Sequence, residues 1–332
     1  MKVIAHRGFE EIGAGAWSRL HARSRLRLPF LTWAWQTEWA RAFTAGEPLE
    51  IWCVEDSAGL VAVLPLGVRG PGLRQLIGGA DVSDYLDLLA VDGREEEAWT
   101  ALLSARAAAP ASWELHAVPA SSPTVTALPT LATAFGLRAI AAVEERCPVL
   151  TLPASWEAYL EALTSKQRHE LTRKMRRLDR EAPEARVSTA STWAQIEGRL
   201  GDFLDLHRRA RAGKARFMDT RMEAFFRRVM ALLAGLGLVR LWVLDSAAGP
   251  LATFLALEWE GTVGVYNSGF HPERASLSPG LVLLGHMIRD AIARGRRRFD
   301  FLRGEERYKY DFGPTPEDVY QVTVAPDGAS RA

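Results

Sequence analysis

The stretch Arg296–Gly313, RRRFDFLRGEERYKYDFG, decides how this chain is read. It opens as a strand over Arg298–Leu302, with Phe299 and Phe301 on one face and Asp300 on the other. Arg303-Gly304 breaks the strand, and Glu305–Tyr310 reads as a short helix with an acidic first turn. A strand end running into a helix start is where open α/β sheets place their ligands. Asp300, Arg303, Glu305, Tyr308 and Lys309 bring carboxylates, a guanidinium, a phenol and an amine to that spot. The plain alternative is a strand-turn-helix with a solvated, charged cap, so the flanking segments must decide.

Working upstream, a helix spans Pro279–Arg294 and ends at Gly295, preceded by strands Leu238–Asp245, Leu251–Trp259 and Thr262–Phe270. Helices over Arg221–Ala234 and from Thr192 to Arg211, a strand Arg186–Thr189 and a basic helix Lys166–Arg180 come before them, and a strand Val319–Val324 closes the chain. The first half begins with two helices within residues 13–44. Strands Leu49–Asp56, Leu60–Val68, Arg74–Ile77 and Tyr85–Leu89 follow, then a helix Glu95–Ala109 and a strand Trp113–Val118. A helix Pro123–Phe135 and extended segments Arg138–Glu144 and Pro148–Leu152 complete that half. The two element orders nearly coincide, and the hairpin IWCVEDSAGLVAVL from Ile51 echoes LWVLDSAAGPLATFL from Leu241. The expectation is two α/β lobes, 1–153 and 154–325, each a mostly antiparallel mixed sheet flanked by helices. Pro153-Ala-Ser155 is the boundary, because Ser155 opens a new capped helix, and residues 326–332 form a disordered tail.

Composition narrows the class. Apolar residues make up 48% and charged residues 24%, and the formal net charge of +1 gives no global attraction to nucleic acid or an anionic surface. The beginning MKVIAHRGFEEIGAG has no signal-peptide core, and no run approaches a membrane span. Cys53 and Cys147 have neither metal-ligand spacing nor a disulfide pattern, and read as buried thiols in a reducing cytoplasm. No zinc spacing, P-loop or serine-nucleophile elbow is present. Trp33, Trp35 and Trp39 read as packing residues rather than a stacking platform.

The element order resembles that of the GNAT acyltransferase fold. The segments SKQRHELTRKMRRLDRE, FLDLHRRARAGKARF, SLSPGLVLL and FDFLRGEERYKYDFG in the second half, with FLTWAWQTEW, VAVLPL and DVSDYLDLL in the first, resemble the acyltransferases associated with bacterial cellulose biosynthesis (CelD/BcsL-like). That branch is related to the Fem-type aminoacyltransferases, which also carry paired GNAT-like lobes. The similarity spans roughly residues 25–325 and implies acyl transfer to an amine, with acyl-CoA (acetyl-CoA) as co-substrate.

In such a fold the acyl-pantetheine arm lies where strands splay, and backbone N–H groups polarise the carbonyl. Here that stretch is Tyr266-Asn267-Ser268-Gly269, where Gly269 either lets a ligand approach the backbone or simply ends a strand. A diphosphate needs free donors at a helix start, which Ser278, Gly280 and Leu281 offer with no acid in the first turn. The matching first-half helix begins Glu95-Glu-Glu97, which repels phosphate and assigns the nucleotide to the second half alone. The loop departs from the usual GNAT pattern, because Leu277 stands for its first glycine and Pro279 removes a donor.

Tyr308 occupies the place of the GNAT tyrosine acid, and Asp300 and Glu305 are candidates for holding the amine or relaying its proton. Lys309 either contacts phosphate or pairs with Glu305, the spacing favouring the pair. His207 reads as a satisfied helix histidine that also lies near the presumed acceptor cleft, together with Arg216, Arg303, Asp84 and Tyr85. The Lys166–Arg180 helix has an apolar stripe of Leu171, Met175 and Leu178; it either docks by that stripe and solvates its charges, or meets tRNA or an anionic membrane.

The sequence thus reads as a cytoplasmic, two-lobed N-acyltransferase acting on a small-molecule, polysaccharide or peptide-precursor amine, without a metal. A Fem-type enzyme using aminoacyl-tRNA is the first alternative, and a non-catalytic binding or assembly protein that kept the fold is the second.

Overall fold

The hairpins matched in sequence match in structure to the residue. The computed structural model describes residues 1–44, 46–79, 81–106, 111–210 and 216–327. Its strands are β1 (Lys2–His6), β2 (Leu49–Asp56), β3 (Gly59–Val68), β4 (Leu73–Leu76), β5 (Leu89–Ala90), β6 (Ser112–Pro119), β7 (Leu137–Thr151), β8 (Arg186–Ala190), β9 (Val239–Ser246), β10 (Gly249–Trp259), β11 (Thr262–Phe270), β12 (Arg298–Asp300) and β13 (Thr315–Pro326). In the β2–β3 hairpin Asp56 faces Gly59, and in the β9–β10 hairpin Ser246 faces Gly249. Both glycines adopt positive φ, 111° and 114°, as such tight turns require. Each hairpin then carries a bulge two residues past its glycine, at Val61 and at Leu251.

The chain forms two compact units, Met1–Arg146 with Asp318–Ala332, and Cys147–Glu317. In the first unit the strand order is β1-β2-β3-β4-β6-β13, antiparallel throughout except for the parallel β4–β6 pair. In the second it is β8-β9-β10-β11-β12-β7, antiparallel except for the parallel β11–β12 pair. The sixth strand of the first unit comes from the C-terminal end of the chain, and that of the second from the stretch that opens this unit. Val149–Thr151 pair with β12, while Val319–Val324 pair with β6. The expected cut at Pro153 differs for that reason: β7 is one strand of 15 residues with no break at Glu144, and the last strand belongs with the first unit.

Other elements also differ from the sequence reading. Lys2–His6 is a strand, paired with β2, where none was expected. Tyr85–Leu89 contributes only the short β5, and Pro129 divides the expected Pro123–Phe135 helix into Pro123–Thr126 and Leu128–Thr133. Part of the tail and of the Glu95–Ala109 and Thr192–Arg211 helix ends lies outside the described residues.

The first unit packs Trp17, Trp35, Trp99 and Trp113 with no more than 1% exposure, and Trp35 Nε1 donates to Ser83 Oγ at 2.8 Å. Cys53 is buried within it, which pushes its thiol up to about 12. In the second unit the helix Pro279–Ala293 presents Val282, Leu283, Leu284, Met287, Ile288 and Ala291 to one face of the sheet, where they meet Phe254, Val263, Val265 and Phe299. The basic helix Ser165–Glu181 docks on the same core through Leu171 and Leu178, its start fixed by the reciprocal Thr164–Gln167 capping box. On the opposite face, the helix Trp193–Ala210 lies across β11. Among the described residues no helix is long and apolar enough to cross a membrane.

Candidate active site

Where β11 and β12 part, the second unit opens. Their parallel ladder matches Thr262 with Arg298, Val263 with Phe299 and Gly264 with Asp300, and then stops. β12 ends at Asp300, and the chain turns at Leu302, a buried residue at φ 56°, one position before the expected Arg303-Gly304 break. β11 continues to Phe270, paired only with β10 over its last part. The edge of β11 from Val265 to Phe270 is thus left without a neighbouring strand among the described residues.

A bulge decides which β11 side chains face this opening. Asn267 pairs with Leu255 but Val265 pairs with Ala256, so Tyr266 is the extra residue. The inserted residue reverses the alternation: Val263 and Val265 face the central helix, and beyond the bulge Ser268 and Phe270 do so. Ser268, Phe270 and Phe254 line a cavity of about 300 Å³ with Ser278, Gly280, Leu281, Leu284, Glu306 and Tyr308. Of the residues singled out from sequence, Ser268, Ser278, Gly280, Leu281 and Tyr308 converge here.

Asn267 and Gly269 do not. Gly269 lies against the helix on the other face, where an added Cβ would meet the backbone of Leu206 and His207 at 2.4 Å. Its missing side chain admits a helix rather than a ligand. His207 belongs to that helix contact: it is 1% exposed, its Nδ1 lies 3.1 Å from the Ser268 carbonyl, and its ring is 5.6 Å from Phe203. Arg216 is exposed and lines neither cavity of the unit, and residues 211–215 beside it lie outside the described residues. Asp84 and Tyr85 belong to the first unit, where Tyr85 is buried with its ring 6.5 Å from Phe30.

Two more candidates, Asp300 and Lys309, prove to hold the turn itself. Asp300 is 1% exposed and accepts from the Leu302 N–H at 2.8 Å, fixing the left-handed residue that follows. Lys309, 4% exposed, donates to the carbonyls of Arg303 at 2.8 Å and Gly304 at 2.9 Å, and pairs with Glu306 at 2.9 Å. Its partner is therefore Glu306 and not Glu305, because the helix begins at Arg307 with Glu306 as its N-cap. Glu305 is exposed and accepts from Tyr310 Oη at 2.8 Å, away from both cavities. Glu306, one residue on, is the carboxylate in the cavity wall. Nothing in the local sequence separates the two glutamates; a shift of the helix start chooses between them.

Ser278 sits at the start of the central helix in the left-handed region, φ 51° and ψ 45°, and its side chain caps nothing. The expected serine cap is absent because the residue bends the chain instead. Gly280 and Leu281 of the first turn still line the cavity, and no acid lies in that turn. A second cavity, about 680 Å³, shares Leu281 and Tyr308 with the first and is lined by Lys166, Gln167, Glu170, Lys174, Arg307 and Asp311 among others. Tyr308 therefore stands between an apolar chamber and a charged one. Among the described residues no cluster of His, Cys, Asp or Glu is arranged to hold a metal ion.

Residues 165–310, which carry most of both cavities, match the family model described as an acetyltransferase (GNAT) domain. No curated protein matches the chain. Among solved structures, FemX is 12% identical, with 97% of each chain covered and a TM-score of 0.65. A conserved protein of unknown function from Bacteroides thetaiotaomicron VPI-5482 is 11% identical, covering 96% of this chain and 100% of that one at a TM-score of 0.63. L-PGS from Bacillus licheniformis is 12% identical, covering 82% and 83% at 0.54. These likenesses are of fold. By that match, residues 165–310 of the second unit are similar to a GNAT acetyltransferase domain.

Proposed function

We propose that the second unit transfers an acyl group from a carrier to an amine at the parting of β11 and β12. The observation that carries this reading is the convergence of Tyr308, the Ser278–Leu281 turn and Ser268 on one cavity, beyond the point where the β11–β12 ladder stops. The amine nitrogen attacks the acyl carbon, and the C–N bond forms as the bond from carbon to the carrier breaks. Backbone N–H groups of the β11 edge stabilise the intermediate oxyanion. The ammonium first gives one proton to solvent; Glu306 then holds the neutral amine and accepts the proton that nitrogen loses as the C–N bond forms, Tyr308 protonates the leaving atom, and solvent returns the proton from Glu306 to Tyr308.

Acyl-CoA is the favoured donor, as the resemblance to the cellulose-associated branch implies. An aminoacyl ester of tRNA is the second reading, favoured by Leu277 and Pro279 in the phosphate turn and by the basic helix. The acceptor is a small-molecule or polymer-precursor amine. Replacing Tyr308 by Phe tests the reading, since it removes the hydroxyl and keeps the ring. Thiol release from acetyl-CoA in the presence of a panel of amines should fall roughly 10²- to 10⁴-fold, with donor affinity unchanged. Full activity in that variant would remove Tyr308 from the chemistry.

A further inference from the structure

The smaller cavity has two unlike ends. At the outer one stand Glu306, whose side chain is 45% exposed, and the half-buried Tyr308. At the inner one stand Phe254 and Leu284, 3% and 0% exposed. Phe254 lies opposite Ser268 in the β10–β11 ladder, and the bulge at Tyr266 turns Phe270 to the same face, so two aromatic rings form the floor. Gly280, Leu281 and Leu284, spaced to share one side of the central helix, form the roof. A Cβ at Gly280 would meet no atom within 4 Å, so the roof leaves room there.

Charge follows the same division. Among the described residues Glu306 is the one charged side chain of the lining, and Lys309 answers it at 2.9 Å. A charged guest reaching the inner end finds no counter-ion, whereas an apolar guest gains dispersion contacts and release from water. Size narrows the guest further. The cavity, about 300 Å³, is about ten times the ~30 Å³ of a water-sized group such as a methylene. An acetyl group would leave most of it to water against phenylalanine and leucine side chains.

We propose that this chamber takes the chain of an apolar acyl group, roughly six to eight carbons long, with the carbonyl and the open mouth filling the remainder. The acyl carbon then lies beside Tyr308. This rests on the transfer reading above and names its acyl class: a medium-chain fatty acyl group in place of acetyl or a charged aminoacyl group. The chain belongs to the donor and not to the amine because the Ser278–Leu281 turn, which the sequence gives to the donor, roofs the chamber.

The test uses the full chain with two probe series: acetate, butyrate, hexanoate, octanoate and laurate, and the matching acyl-CoAs. Calorimetric affinity for the free acids should rise about two- to fourfold per methylene up to octanoate and then level off. Thiol release from the acyl-CoAs with a panel of amines should follow the same order. Leu284→Trp fills the inner end and should lower the preference for octanoyl over acetyl roughly tenfold or more. Because Leu284 lies in the core, Ala275→Trp repeats the test from an exposed position of the wall. Equal turnover of acetyl- and octanoyl-CoA, with no gain in affinity along the acids, would overturn the proposal and leave the transfer reading standing. A preference unchanged in both variants, or one that follows the apolar tail of the amine, would overturn it too. Chain-length dependence among the acids without turnover of any acyl-CoA would support the chamber and count against transfer from coenzyme A.

Discussion

Gly264 faces Asp300 as the last matched pair of the parallel β11–β12 ladder, and Tyr308, a few residues past that pair, lines both cavities described above. Asp300 is buried at this point and turns its carboxylate to the Leu302 N–H, so the residue that ends the ladder also fixes the turn away from it. Lys309 grips the same turn from its far side through the Arg303 and Gly304 carbonyls.

Removing that grip should be costly. Lys309→Met leaves carbonyls without their donor and releases Glu306 from its ion pair. Glu306 is partly exposed and can be rehydrated, so the expected loss is about 2–3 kcal/mol, below that for a fully buried pair. Urea unfolding checks the loss, and amide exchange should rise in residues 302–306. Unchanged exchange there would show that the turn holds itself.

Two glycines should respond oppositely to the same change. Gly269→Ala places a methyl 2.4 Å from backbone atoms of Leu206 and His207, which a rigid helix cannot yield, and should destabilise by about 1–3 kcal/mol. Gly280→Ala meets nothing within 4 Å and does not need a left-handed backbone, so it should gain about 0.4–1 kcal/mol. Thermal unfolding of the two variants side by side decides.

Asp87 makes the first unit's stability depend on pH. Burial pushes its carboxyl up to about 6, outweighing hydrogen bonds from Ser122, Thr124 and Leu88. Thr124 Oγ1 donates to it at 2.6 Å and the Leu88 N–H at 2.8 Å. The folded state holds this proton more tightly than the unfolded chain, so Asp87 contributes most at low pH. Between the unfolded value, near 4, and 6 the contribution declines by up to about 3 kcal/mol. Asp87→Asn should remove that slope in urea titrations from pH 4 to 7 and raise stability above pH 6. A slope that survives in the variant would assign it to another group.

Sequence determined more of the fold than of the site. Hairpin glycines, the period-two runs of β9 to β11 and the acid-free start of the Pro279–Ala293 helix are local signals, written within a few residues of what they specify. Tyr308, Ser278, Gly280 and Leu281 were legible because they sit at such element ends. Tertiary structure decided the rest. The bulge at Tyr266 arises from pairing with β10, and that one inserted residue sends Ser268 to the cavity and Gly269 to the helix behind it. Burial made Asp300 and Lys309 into supports for a turn, since a charged group taken out of water must be answered by the groups around it. The places of Val149–Thr151 and of β13 were likewise decided by ladders joining strands far apart in the chain, which local periodicity does not record.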